Sequence, residues 1–227
     1  NSPFVPIYDG TNMKLYPFTT SSTDAVGTSL AMGGDAAWVS GSLYDLAVGI
    51  SGGIVFFGTL PAWTNITTRS VIVSPLNGLM TNAGTTTLRY GTGATATMPP
   101  RQATVLGTVY MTGTGTTAMI FKPSASAGGT NNILGLYNGY NRVHAQALVR
   151  DSTVSWTTIS TSFQTMNGSN GWRVSIVDGF GQSRVAASLT ILGGNSNANG
   201  NIQGTILLDS TTGTGSQIAA GVSANAN

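Results

Sequence analysis

The acid–base and nucleophile inventory of this 227-residue chain is short: one histidine, seven aspartates, no glutamate and no cysteine. His144 is the only available histidine base, and it sits among Arg142, Gln146 and Arg150 at strand-like alternate positions. That is the polar face of a sheet strand, so His144 reads as a surface or interface contact rather than a general base. The aspartates do not fall at calcium-loop spacing. The closest approach, Asp9-Gly10-Thr11-Asn12, reads as a turn. Two distant aspartates could serve glycoside hydrolysis, but no local motif selects the pair. Gly91–Ala96 and Gly113–Ala118 fit G-x-G-x-x-A, a fingerprint that needs a helix start to hold a pyrophosphate. Both run instead toward prolines, at Pro99-Pro100 and Pro123, and read as turns. Without cysteine there is no thiolate nucleophile, disulfide framework or cysteine zinc site, and one imidazole makes no multi-histidine cage. The expectation is a non-enzymatic chain with no cofactor and no metal.

Binding chemistry has more to work with. Tyr137, Tyr140, Trp63, Trp156 and Trp172 lie near Asn- or Gly-rich stretches, where aromatic faces beside amides could stack on sugars; the alternative is that each anchors the core of its own sheet. The surface or ligand contacts singled out are Tyr137, Tyr140, Asn141, Arg142 and His144. Asn65-Ile66-Thr67 and Asn167-Gly168-Ser169 fit the N-glycosylation triplet, a match expected by chance in a chain rich in Asn, Ser and Thr.

The elements that must position these residues follow from composition and period. Gly, Thr and Ser make up 87 of the 227 residues, whereas charged residues reach only 7%, against about 25% in an ordinary soluble domain. Solubility therefore rests on hydroxyls, amides and backbone. A net charge of +2 gives no reason to expect a nucleic-acid partner. Leu46–Trp63 is uncharged and apolar, but Ser51-Gly52-Gly53 breaks it, so the stretch reads as a hairpin and not a membrane span. The start at Asn1-Ser2-Pro3-Phe4 does not have the form of a signal peptide.

Short β-favouring runs separated by Gly, Asn and Asp recur throughout, with no convincing 3.6-residue period. The expected strands are 44–50, 54–59, 69–74, 85–90, 104–111, 117–122, 141–150, 154–160, 172–177, 184–192 and 203–208. The fold class is thus all-β, an antiparallel β-sandwich or jelly-roll-like architecture, divisible into two β domains. Val143, Ala145, Ala147 and Val149 share one face of their run, and Val174 and Ile176 are expected to point into the sheet core. Pro99-Pro100 is the best boundary, since the pair does not fit inside a sheet. The division is 1–98 as an N-terminal β domain, 99–209 as a C-terminal β-sandwich, and 210–227 as a low-complexity tail, disordered or ordered by a neighbouring subunit. Gly193–Asn201 reads as a mobile surface loop.

The segment Leu136-Tyr137-Asn138-Gly139-Tyr140-Asn141-Arg142-Val143, followed by the region of Trp156 and by Trp172-Arg173-Val174-Ser175-Ile176-Val177-Asp178-Gly179, resembles a recurrent module in structural proteins of tailed-bacteriophage virions. Tyr8-Asp9-Gly10 through Tyr16-Pro17-Phe18, and Pro75-Leu76-Asn77-Gly78-Leu79, are similar to the same group, so the resemblance spans most of residues 7–192. It implies a place on a virion surface, as a head decoration or fibre or as a tail fibre. The implied partners are other copies of the chain, expected as a trimer, other virion proteins, and a host-surface glycan, with neither nucleic acid nor membrane. Sheet edges covered by neighbouring copies suit such a role. The alternative from a different class is a carbohydrate-binding or polysaccharide-cleaving β domain.

Overall fold

A computed structural model describes residues 4–17, 36–117, 132–141, 144, 174–181, 186–189, 204–208 and 216–220. Every regular element among them is a strand: β1 (Phe4–Tyr8), β2 (Met13–Pro17), β3 (Leu43–Ser51), β4 (Ile54–Thr59), β5 (Val73–Leu76), β6 (Leu79–Asn82), β7 (Thr86–Gly91), β8 (Ala94–Met98), β9 (Ala103–Tyr110), β10 (Asn132–Leu134), β11 (Leu136–Asn138), β12 (Val174–Ile176), β13 (Gly204–Leu208) and β14 (Ser216–Ala220). The chain is all-β, with an eight-stranded antiparallel sheet packed against further strands, consistent with a β-sandwich. It forms two compact units. One gathers Asn1–Phe121, Ile133–Gln146 and Ser175–Gly181; the other gathers Lys122–Asn132, Ala147–Val174 and Gln182–Asn227.

The large sheet of the first unit runs β5-β6-β9-β3-β4-β7-β8, with β11 also paired to β9. Its centre is the most apolar run of the sequence. β3 pairs with β4 from Leu46↔Thr59 to Ser51↔Ile54, closed by Gly52 and Gly53 at φ 57° and 81°. Two successive positive φ angles make the turn whose twist matches the flanking strands, so the expected hairpin forms where the sequence breaks. On the other side of β3 lies β9, in register from Leu43↔Tyr110 to Ala103↔Gly49, with a shift between Leu46 and Ala47. Leu106 is the extra residue of that bulge and packs beside Val48, Ile50 and Val55.

Alternation then gives the sheet two apolar faces. Ala47, Phe56, Val105 and Ala103 pack with Leu60, Leu88 and Met98, so the β7–β8 hairpin closes over one face. Val48, Ile50 and Val55 on the opposite face are covered by Ile7 of β1, which is fully buried. Farther along that second face Trp38 is also fully buried and packs with Tyr44, Val109 and Met111. Each such side chain contributes about 1.5–3 kcal/mol through removal from water.

The β1–β2 hairpin lies over the sheet and is held at its tip by Asp9, whose carboxylate accepts the backbone N–H groups of Thr11 and Asn12 at 2.9 and 2.8 Å and pairs with Lys14. These bonds, the Asn12 amide first and then Lys14, hold the Asp9 carboxyl well below the usual carboxylate range. A lowered folded-state value means the contribution is complete above the unfolded value of 3.8 and is lost as pH falls through the folded one. Amide exchange in residues 9–12 is therefore expected to stay protected through about pH 4 and to rise only in stronger acid. Loosening already at about pH 5 would contradict this account of the turn.

Several expectations change. Pro99-Pro100 is a corner rather than a boundary: the chain turns there from β8 into β9, and both belong to the same sheet, with β9 against β3. The run expected at 69–74 shifts to Val73–Leu76, where, among the described residues, β5 pairs with β6 alone; Pro75 thus sits on an edge strand, where a sheet tolerates proline. Residues 186–189 are not in a strand, nor is His144. Val174 and Ile176 are 40% and 45% exposed, so this strand does not aim them into a core. Within the expected tail, β14 pairs with β13 in the second unit, from Gly204↔Ala220 to Leu208↔Ser216. The runs 118–122, 145–150 and 154–160, Trp156, Trp172 and the loop 193–201 lie outside the described residues.

Candidate functional site

The chemistry-bearing residues of the first unit converge where β3 passes under the loop after β4. Asp45 stands alone as a charge in Leu43–Ser51 and is 2% exposed. A buried carboxylate needs partners, and it has three bonds. Arg69 donates to it through Nε at 2.7 Å and Nη2 at 3.1 Å, and Thr108 on the neighbouring β9 donates its hydroxyl at 2.7 Å.

Arg69 itself is gripped from several sides. Its guanidinium carbon lies 4.2 Å from the Trp63 ring centroid and 5.7 Å from that of Phe180, and Nη2 also donates to the Gly179 carbonyl. The Asp178-Gly179 turn is thereby fastened to the sheet. Phe180 meets Tyr137 edge-on at 5.4 Å and Tyr140 at 6.4 Å. With both carboxylate oxygens engaged and the guanidinium held against Trp63 and Phe180, this cluster is a structural clamp; the sheet side of the aromatic group is set by it.

The residues singled out from sequence divide accordingly. Tyr137, on β11 opposite Thr108, is 6% exposed and packs as a core aromatic. Tyr140 is 45% exposed; its hydroxyl accepts the Met80 N–H at 2.9 Å, and burial pushes its phenol above the usual range. Asn141 is exposed, its N–H bonded to Asn138 Oδ1 at 3.0 Å, as is that of Tyr140 at the same distance. His144 is exposed, and Arg142 lies outside the described residues. The structure thus brings Tyr137 and Tyr140 together through Phe180, with Tyr137 buried and Tyr140 exposed. Asn65 is exposed, and its side chain accepts from the Thr67 N–H and hydroxyl at 2.9 and 2.8 Å.

Sequence reasoning did not single out Asp45, Arg69 or Phe180. Asp45 carried a signal, since a lone acid in an apolar strand demands a cation; nothing in the spacing named Arg69. The two formal dinucleotide fingerprints are turns: Gly91–Ala96 spans the β7–β8 hairpin, and Gly113 bridges to Thr116. Among the described residues no three metal-ligating side chains converge, and no helix is long and apolar enough to cross a membrane. No protein-family model, curated protein or solved structure matches this chain.

Proposed function

We propose that this chain is a non-enzymatic structural protein of the surface of a tailed-bacteriophage virion, a head decoration or fibre or a tail fibre, built as a homo-oligomer with three copies. The observation that carries the reading is the sheet edge at β8. Among the described strands β8 pairs on one side only, with β7, and its residues Ala94–Met98 hold no charge and no proline. Monomeric proteins blunt such edges with lysine, proline or a cover, because an open row of backbone groups recruits another strand. An uncharged edge in a chain with 7% charged residues is what a neighbouring copy completes. The phage-module resemblance supplies the particle on which this happens.

The test is immunogold labelling of intact particles with an antibody to this chain, alongside a polysaccharide-release assay on the purified protein. Label on the particle exterior with no oligosaccharide released is the expected result. Released oligosaccharide would replace the reading with the alternative, a polysaccharide-cleaving domain, and absence of label from intact particles would remove the virion-surface role.

A further inference from the structure

The edge of the large sheet opposite β8 is β5, and its outward-facing backbone can be read from the register. Asn77 and Gly78, at φ 51° and 83°, join β5 to β6 in a two-residue turn, with Leu76↔Leu79, Pro75↔Met80 and Ser74↔Thr81 as successive pairs. Pairs in an antiparallel ladder alternate between hydrogen-bonded and non-bonded. Leu76↔Leu79 closes the turn as a bonded pair, so Pro75 and Met80 turn their backbone groups away from each other. Met80 agrees, since its N–H goes to Tyr140 Oη. Pro75 thus presents its backbone on the outer edge, where a proline has no N–H and its carbonyl accepts Nη1 of Arg101 at 3.1 Å. In a strand of four residues alternation leaves only Val73 and Pro75 facing outward, so half of what an incoming strand would grip is removed.

Arg101 is held in place at a conformational cost. The Gln102 N–H bonds the Pro99 carbonyl at 3.2 Å, and Arg101, third in that turn, has φ 68°, the left-handed region that favours glycine. Such a residue persists only where its surroundings fix it. Here Asn82, at the end of β6, does so: its backbone carbonyl accepts the Arg101 N–H at 2.7 Å, and its side chain donates to the Pro99 carbonyl and accepts from the Ala103 N–H, both at 2.8 Å. All of these bonds use the backbone of the corner, and glycine at position 101 would keep every one. The hydrogen bond that an arginine side chain adds, among the described residues, is the one to Pro75.

We propose that Arg101 is an edge guard: with Pro75 it shuts the outer edge of β5 against the β5 edge of a second copy of this chain, a two-fold pairing that would otherwise join sheets or whole assemblies through the wrong edge. β8, whose Ala94–Met98 run holds neither charge nor proline, carries no such guard. The inference stands apart from what fills β8, because it concerns the opposite edge of the same sheet.

The experiment combines Arg101→Gly, which uncaps the Pro75 carbonyl, with Pro75→Val, which restores the missing N–H, and measures molar mass by light scattering across a series of micromolar concentrations. The mass of the double variant is expected to rise with concentration to about twice that of the unmodified protein or more. Pro75→Val with Arg101→Lys, which keeps a cation at the edge, should stay at the unmodified mass. Arg101→Gly alone should unfold in urea at a midpoint no lower than that of the unmodified protein, because glycine relieves the backbone at that position. A lowered midpoint would make Arg101 a prop of the fold instead of a guard. A double variant that keeps the unmodified mass at every concentration, or a lysine variant that associates as the double variant does, would equally overturn the inference. The two readings fail separately: an unmodified protein that is a single chain defeats the assembly reading while the double variant can still double, and an unmodified oligomer whose double variant gains no mass defeats the guard alone.

Discussion

Arg69→Met is expected to destabilise the protein by about 3–5 kcal/mol, measured as the shift in urea unfolding. The substitution keeps much of the aliphatic stem but removes both donors to Asp45, leaving a carboxylate that is 2% exposed with Thr108 as its remaining partner. It also frees the Gly179 carbonyl from its bond to the guanidinium and removes the cation from between Trp63 and Phe180. The companion experiment distinguishes an unpaired charge from lost packing. Asp45→Leu combined with Arg69→Met takes away the charge that the single variant strands, and is expected to regain most of the loss, because apolar replacements of a buried pair are often close to neutral. A single-variant cost under about 1 kcal/mol would show that the pair behaves as an exposed one.

Gly58→Ala is the second large effect. Gly58 sits on β4 beside the point where Thr59 pairs with Arg89 of β7, and a Cβ there would overlap the Arg89 carbonyl oxygen and lie 2.6 Å from Leu88 Cδ2 and 2.7 Å from the Arg89 carbonyl carbon. Backbone cannot rotate aside as a side chain can, so the β7–β8 hairpin must shift or detach, at a cost of about 3 kcal/mol. Leu88 and Met98, the fully buried side chains that this hairpin itself supplies to the core, would be uncovered in the process. Gly84→Ala provides the contrast: its added Cβ meets nothing within 4 Å, and stability should stay within about 0.5 kcal/mol. Equal unfolding midpoints for the two variants would mean that the close approach of β4 to β7 does not hold in solution.

Particular residues show why some of this was legible beforehand and some was not. The β3–β4 hairpin is written in the chain, since an apolar run cut by Ser51-Gly52-Gly53 has few other ways to fold, and Asp9-Gly10-Thr11-Asn12 likewise names its turn. The short strands escaped detection because their stability comes from neighbours rather than from their own composition: β8 is Ala-Thr-Ala-Thr-Met and β11 is three residues long. Val174 and Ile176 show a different limit. Alternation tells which residues share a face, but not whether anything covers that face, and both are substantially exposed. Pro99-Pro100 was a true interruption whose meaning depended on β9 returning to β3, a pairing between residues far apart in sequence. At the site, Asp45 announced a need for a cation, while the identity of Arg69, 24 positions away, and the stacking of Phe180 on it depend on the tertiary fold. Tyr137 and Tyr140 are adjacent in kind and spacing, yet one is core and the other is half exposed, a distinction set by β11 joining β9.

The claim on which the account rests is that copies of this chain complete one another's sheets. The direct measurement is the molar mass of the purified 227-residue chain by light scattering at micromolar concentration, before and after Thr95→Lys and Thr97→Lys are placed together on β8, where charged side chains discourage strand addition. The expected result is three times the chain mass of 23.2 kDa for the unmodified protein and a lower mass for the folded variant. A stable single-chain mass of 23.2 kDa for the unmodified protein would contradict the account.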